Sequence, residues 1–155
     1  MSLHQTLVIG VGNAWRRDDG AGPAVAETLA AIPGARCRVL VGEGTELIEA
    51  WSGEGRVIVI DAMRSGAPAG TLTHFDAAAA ALPAAAFCSL SHRFGLAEAI
   101  EMARVLGRLP ERLEVWGVEA GDLGQGPGLT PPVAAAVAIL VDRLAGELRN
   151  PGDDR

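Results

Sequence analysis

Short apolar runs alternate with amphipathic stretches along most of the chain. Four runs rich in Val, Ile and Leu have the length and composition of buried strands; they span residues 6–11, 37–41, 56–61 and 113–118. A fifth stretch, residues 71–75, alternates polar and apolar side chains as a strand at the edge of a sheet does. The pattern therefore predicts five strands spread along the chain.

Helical periodicity occupies the segments between these strands. Apolar residues at helical spacing predict helices over residues 20–32, 46–51, 94–106 and 130 to about 148. Gly107 is a stop signal for the third helix, and Thr130 followed by Pro131 has the character of an N-cap and a first helical position. Residues 76–87, rich in Ala and Pro, fit either a loop or a short helix.

Strands that alternate with helices predict an α/β fold with a mostly parallel sheet and helices on both faces. The chain has no internal repeat or linker, so we expect a single three-layer domain over residues 1–155, with flexible ends at 1–5 and 150–155. Ligands of such folds bind beyond the carboxyl ends of the strands. Three loops should lie there, at residues 12–22, 61–66 and 119–129.

Composition narrows the function classes. The 155 residues are 49% hydrophobic, and the net charge is −6 with 13 basic residues that are all arginine. An acidic chain without a basic stretch argues against binding to nucleic acid phosphates. No apolar run reaches the ~20 residues that span a bilayer, and no secretory signal pattern is present. Two cysteines, Cys37 and Cys88, are too few for a disulfide scaffold. These features predict a soluble, cytoplasmic protein, with a monomer as the simplest state.

The loop after the first strand reads GVGNAWRRDDGAG. A dinucleotide-binding fingerprint needs a third glycine where Trp15 stands, and tryptophan is a poor substitute at that position. Two adjacent acids, Asp18 and Asp19, precede the first predicted helix. The more ordinary role, capping that helix, is expected for Asp18.

Three residues form a candidate metal site if the predicted fold brings them together. Asp19 follows the first strand, Asp61 ends a buried apolar strand, and His92 precedes a helix. One imidazole and two carboxylates suit a divalent transition metal with open positions. Each residue alone has an ordinary alternative: a loop-capping carboxylate for Asp61, and a cap or surface residue for His92. The spacing by itself is a weak signal.

The remaining candidates are less specific. Arg16, Arg17 and Arg93 flank the proposed site, where they either receive a peptide carboxylate or are simply solvated. His74 is expected to face solvent on the edge strand, and both cysteines are expected to be buried. The tryptophans are expected to pack, with the alternative that a partner contacts an aromatic surface made of Trp15, Trp51 or Phe94.

Four ordered motifs carry a family resemblance. The sequence contains GVGNAWRRDDGAGPAVAETL at residues 10–29, VIVIDAMRSGAPAG at 57–70, SHRFGLAEAI at 91–100 and VWGVEAGDLGQGPGLTPPV at 115–133. In this order they resemble the hydrogenase maturation endopeptidases, which clip a short C-terminal peptide from the large subunit of nickel-containing hydrogenases. The resemblance extends from Leu7 to about Leu148.

The resemblance implies roles for individual residues. It implies that Asp19, Asp61 and His92 contact the active-site nickel of the precursor and serve catalysis, with Asp19 standing where some family members have glutamate. Asn13, Arg16 and Arg93 are assigned to substrate binding. The metal would be nickel supplied by the hydrogenase large-subunit precursor. The implied fold is a phosphorylase/hydrolase-like sheet covered by helices on both faces, in agreement with the order of elements.

Three alternatives remain. The chain could be a non-catalytic protein that binds nickel or the precursor through the same three ligands. A peptidyl-tRNA hydrolase also opens with GVGN after a first strand, but it needs a histidine where Arg16, Arg17, Asp18 and Asp19 stand, and it binds an anionic RNA. A nucleotide-binding α/β domain is disfavoured by Trp15.

Overall fold

The computed structural model describes residues 5–87 and 94–149 and contains a five-stranded sheet. The strand order is β2-β1-β3-β5-β4, in which the first four strands run parallel and β4 pairs antiparallel with β5 at one edge. Each predicted strand is present, within two residues of its predicted bounds: β1 (Leu7–Val11), β2 (Arg36–Leu40), β3 (Arg56–Met63), β4 (Leu72–Asp76) and β5 (Arg112–Glu119).

Helices cover both faces of the sheet, as predicted. The α-helices of the described ranges are α1 (Ala21–Leu29), α2 (Gly44–Trp51), α3 (Leu96–Leu106) and α4 (Pro131–Arg149). Alternate residues of β3 divide between the two cores: Val57 and Val59 pack with α2 and α3, whereas Ile58 and Ile60 pack with α1 and α4. Burial on both faces explains why this strand is apolar without interruption.

Local chemistry shifts several helix ends from the predicted positions. The α2 helix begins at Gly44, before the first predicted residue, because the Glu43 carboxylate accepts hydrogen bonds from the backbone N–H groups of Thr45 and Glu46 (both 3.1 Å). The end of α3, in contrast, lies where it was predicted: Gly107 follows the last helical residue in the left-handed conformation (φ 69°). The ambiguous stretch 76–87 is mostly turns and ends in a short 3-10 helix, Ala84–Phe87.

Two glycines let α1 pack directly against the sheet. A Cβ atom on Gly10 would collide with the backbone carbonyl of Gly22, and one on Gly22 would collide with the carbonyl oxygens of Val11 and Ile60. These two glycines therefore permit the close helix–strand approach that the dinucleotide fingerprint assigns to a third glycine. Trp15 occupies that fingerprint position in the loop, away from this contact.

Replacing Gly10 by alanine should destabilise the fold by about 3 kcal/mol, because backbone rather than a flexible side chain blocks the added methyl group. Gly146→Ala is the matched control, since a Cβ there meets nothing within 4 Å and alanine favours the helix by about 0.5–1 kcal/mol. Urea unfolding of both variants measures the difference. A Gly10→Ala protein as stable as the wild type would contradict the close packing.

The aromatic residues separate into buried and exposed positions. Trp51 is fully buried, so the expectation that it packs is confirmed and the alternative that it contacts a partner is wrong. Trp15, in contrast, is 69% exposed beside the first loop. Phe94 is half-buried against the core formed with α2 and α3. Of the aromatic surface considered from the sequence, Trp15 is the residue that presents a large exposed ring.

The predictions for the histidine of the edge strand and for the two cysteines have different outcomes. His74 is partly exposed on the edge strand and contacts Glu114 (3.2 Å), in agreement with its expected position. Cys37 is half-buried rather than a full core residue, and burial raises the pKa of its thiol. Cys88 lies outside the described residues, as do the predicted flexible ends except Gln5. Within 5–87 and 94–149, no helix has the length and hydropathy needed to cross a bilayer.

Candidate active site

A cavity of about 410 Å³ opens at the carboxyl ends of β1 and β3. This is the edge of the sheet at which the predicted fold places a ligand site. The first loop, the segment after β2, the end of β3 and the loop after β5 all contribute to its wall. The residues that line it are Val11, Gly12, Arg16, Asp19, Val41, Gly42, Asp61, Ala62, Met63, Arg64, Ala85, Ala86, Phe87, Leu96, Gly121, Asp122, Leu123 and Gly124. Both predicted carboxylates, Asp19 and Asp61, face this one cavity.

Asp61 is a buried carboxylate within an otherwise apolar row. It follows Val57 and Val59 on the same face of β3, and its residue is only 9% exposed. Burial raises the pKa of the Asp61 carboxyl well above its ordinary value, and the neighbouring charge of Asp19 raises it further. A hydrogen bond from the Ala62 backbone acts in the opposite direction without reversing the shift. A nearby cation would therefore stabilise the ionised form of Asp61.

Asp19 lies in a 3-10 segment, Arg17–Gly20, that joins β1 to α1. One of its carboxylate oxygens accepts a hydrogen bond from the Asn13 backbone (2.9 Å) and lies 3.6 Å from the Arg16 guanidinium. The segment approaches the end of β1 closely, since a Cβ on Gly12 (φ +143°) would collide with the Asp19 carbonyl oxygen. Gly12 therefore provides both the backbone conformation and the space that place Asp19 at the cavity.

Asp18 has a different role from the predicted helix cap. It is fully buried, and its carboxylate accepts four hydrogen bonds: from the N–H groups of Gly121 (2.8 Å), Asp122 (2.9 Å) and Thr130 (2.7 Å), and from the Thr130 hydroxyl (2.8 Å). Burial acts to raise the Asp18 pKa, but these hydrogen bonds outweigh it, so the pKa lies below its ordinary value. Asp18 joins the first loop to the last one.

A third buried acid, Glu119, orders the other side of the cavity and was missed from the sequence. Its carboxylate accepts hydrogen bonds from the Ser65 backbone N–H (2.8 Å) and hydroxyl (2.7 Å). The preceding residue, Arg64, lines the cavity, and its backbone N–H donates to the Ala86 carbonyl (2.9 Å). The sequence did contain a signal for this residue. Glu119 is an acid at the end of an apolar strand, and Asp61 is an acid near the end of another.

The residues predicted to bind substrate do not all lie at the cavity. Arg16 lines the cavity beside Asp19. Asn13 is exposed and not part of the cavity wall; its side-chain oxygen accepts a hydrogen bond from the Trp15 backbone (2.9 Å) and thereby shapes the first loop. His92 and Arg93 lie outside the described residues. Among the residues that are described, no group of three His, Cys, Asp or Glu is placed to hold a metal.

Comparison with known proteins identifies the family. The model of the hydrogenase maturation protease family matches residues 39–147, more than half of the chain. The chain belongs to this family. It is 32% identical over 152 residues to a hydrogenase expression/formation protein, HupD, of Rhodobacter capsulatus, covering 94% of this chain and 71% of that protein. It is also 29% identical to the hydrogenase 2 maturation protease of Escherichia coli, covering 94% of this chain and 92% of that protease.

Solved structures of endopeptidases have the same fold. The solution structure of an endopeptidase from Escherichia coli superposes with a TM-score of 0.76 at 26% identity, covering 96% of this chain and 94% of that one. The hydrogenase maturating endopeptidase HybD of Escherichia coli gives a TM-score of 0.75 at 24% identity over the same shares. The predicted α/β fold and the predicted protease class are both confirmed.

Proposed function

We propose that this maturation protease removes a short C-terminal peptide from the nickel-loaded large-subunit precursor of a [NiFe] hydrogenase. The observation that carries the proposal is the pair of carboxylates, Asp19 and Asp61, at one cavity of a chain in this family. The peptide is the reaction's substrate, and nickel arrives with it as part of the precursor. This proposal makes the enzyme an aspartic-type endopeptidase whose activity depends on a metal that it does not itself retain.

The electrostatics of the cavity support nickel as the cation recognised. The raised pKa of Asp61 reflects a carboxylate that is desolvated and repelled by Asp19, and a divalent cation between the two carboxylates would offset both penalties. Two carboxylate oxygens and one imidazole nitrogen form a donor set that suits nickel with open positions. His92 would provide the imidazole; Phe87 and Leu96, which precede and follow it in the sequence, line the cavity.

The chemistry that this arrangement supports is metal-assisted hydrolysis. Nickel bound to the precursor would supply Lewis-acid chemistry, which polarises a carbonyl or lowers the pKa of a bound water, and Asp19 and Asp61 would contact it. A carboxylate oxygen of Asp19 or Asp61 orients that water, whose oxygen bonds to the carbonyl carbon while the C–N bond breaks. A proton from the water passes to the leaving amine. Recognition of nickel before the cut makes the reaction a check that metal insertion is complete.

A direct test uses the large-subunit precursor from the same source, purified with and without nickel. We expect the intact mass of the nickel-loaded precursor to fall by the mass of the tail when the protease is added, and the nickel-free precursor to keep its mass. Equal cleavage of both forms would show that nickel is not recognised. A stable complex without any cleavage would favour the non-catalytic binding function.

A further inference from the structure

The sheet has an edge strand that continues into the cavity wall. β2 is the last strand on its side of the sheet, and the two residues that follow it, Val41 and Gly42, line the cavity. Val39 and Val41 are 46% and 55% exposed. An exposed edge strand presents unpaired backbone donors and acceptors that can add a further strand.

The register shows which backbone groups of β2 face outward. The Leu40 carbonyl accepts a hydrogen bond from the Gly12 N–H (2.9 Å), so the backbone groups of Leu40 point toward β1. Alternate residues of a strand point their N–H and C=O groups to opposite sides. Those of Val39 and Val41 therefore point away from β1.

The edge lacks two of the devices that usually block strand addition, a proline and a bulge, although Arg38 presents an exposed charge in the middle of the strand. β2 contains no proline and pairs in continuous register with β1, without a bulge. Its Arg36 is held by a bidentate pair with Glu54 (2.8 Å to each oxygen) and lies at the far end of the strand from the cavity. The half that adjoins the cavity presents valine side chains and outward backbone groups, which suit an extended peptide of mixed sequence.

We propose that the precursor's C-terminal segment binds as an added β-strand along the outer edge of β2, with main-chain hydrogen bonds to Val39 and Val41. This inference rests on the proposed function, because it names how the same substrate reaches the cavity. An extended chain on this edge runs past Val41 and Gly42 directly into the cavity that holds Asp19 and Asp61. Main-chain pairing gives affinity for the segment with little dependence on its side chains.

Amide hydrogen exchange tests the pairing residue by residue. The nickel-free precursor, which should keep its tail, is mixed with the wild-type protein, in which every proposed contact residue is intact. We expect the outward amides of Val39 and Val41 to gain at least about tenfold protection, while Leu40, already bonded toward β1, changes little. The amides of β4, at the opposite edge, provide the internal control. Binding without added protection at Val39 and Val41 would overturn the proposal.

A variant pair gives an independent readout. Val39→Pro removes an outward N–H without removing a ladder hydrogen bond, and we expect it to raise the KM for the precursor by about five- to tenfold with little change in kcat. Val39→Thr keeps the N–H and the β-branched shape, so its KM should stay within about twofold of the wild type. Thermal unfolding confirms that both variants are folded. Equal KM values for folded Pro and Thr variants would contradict main-chain pairing.

The outcomes distinguish the two proposals. Cleavage of the precursor by the wild type, with no protection at the β2 edge, rejects the strand addition and leaves the proposed function standing. Protection of Val39 and Val41 that rises with protein concentration alone shows that the edge pairs with a second copy of this chain, which also overturns the proposal. Absence of both cleavage and binding rejects the proposed function itself.

Discussion

Replacing Asp61 by asparagine is expected to lower the rate of tail removal by about a hundredfold or more. The amide keeps the size of the carboxyl but loses the negative charge that would contact nickel and the oxygen that would orient water. Mass spectrometry of the nickel-loaded precursor measures the rate. Asp142 is an exposed carboxylate on α4 that does not line the cavity. Asp142→Asn is therefore the matched control, and this variant should cleave at the wild-type rate.

The same Asp61→Asn change should make the protein more stable at neutral pH. The folded state raises the Asp61 pKa, so ionisation of this carboxyl costs stability as the pH rises from its ordinary value of 3.8 toward the raised folded value. The amide does not ionise and avoids that cost. The variant's advantage in unfolding free energy should therefore disappear below pH 3.8, where the carboxyl is protonated in both states. A less stable variant at pH 7 would contradict a desolvated, repelled carboxylate.

Asp18→Ala is expected to destabilise the protein by about 3–5 kcal/mol, although Asp18 is not part of the cavity wall. The substitution leaves the buried N–H groups of Gly121, Asp122 and Thr130 without their acceptor. Because Gly121 and Asp122 line the cavity, cleavage activity should fall as well. Urea unfolding gives the free energy, with Asp142→Ala as the control that should change it by less than about 0.5 kcal/mol.

The pH dependence of Asp18 runs opposite to that of Asp61. A lowered folded pKa means that the Asp18 carboxylate contributes stability above its ordinary pKa of 3.8 and that this contribution is lost as the pH falls through the folded value. The difference in stability between wild type and Asp18→Ala should therefore shrink in acid below pH 3.8. A difference that stays constant down to pH 2 would show that the charge of Asp18 is not what the hydrogen bonds stabilise.

Local patterns predicted the elements because each signal lies within the element itself. The uninterrupted apolar run of β3 reflects helices on both faces of the sheet, and Gly107 ends α3 as expected. Asp61 was a site candidate for the same reason, since an acid among buried valines gains nothing from burial alone. The positions of Asp19 and Asp61 at one cavity then followed from parallel strands that share a carboxyl edge.

Long-range contacts explain what the sequence could not show. Asp18 and Asp19 are neighbours with the same chemistry, and only contacts more than 100 residues away decide which one is buried. Trp15 and Trp51 likewise look alike as residues, but one is exposed and the other fully buried. The outward edge of β2 depends on the strand order, which local periodicity does not determine. The role of His92 stays a prediction from the family resemblance.

The tie between Asp18 and Thr130 has a consequence for the synthesis of the protease. The two residues are 112 positions apart, so the first loop cannot reach its final form until Thr130 has left the ribosome. Asp19 and Asp61 are made early, but the buried acid beside Asp19 has no hydrogen-bond donors until the end of the last loop arrives. Contacts of such separation form late in folding. A partly made chain therefore contains both carboxylates without the ordered site.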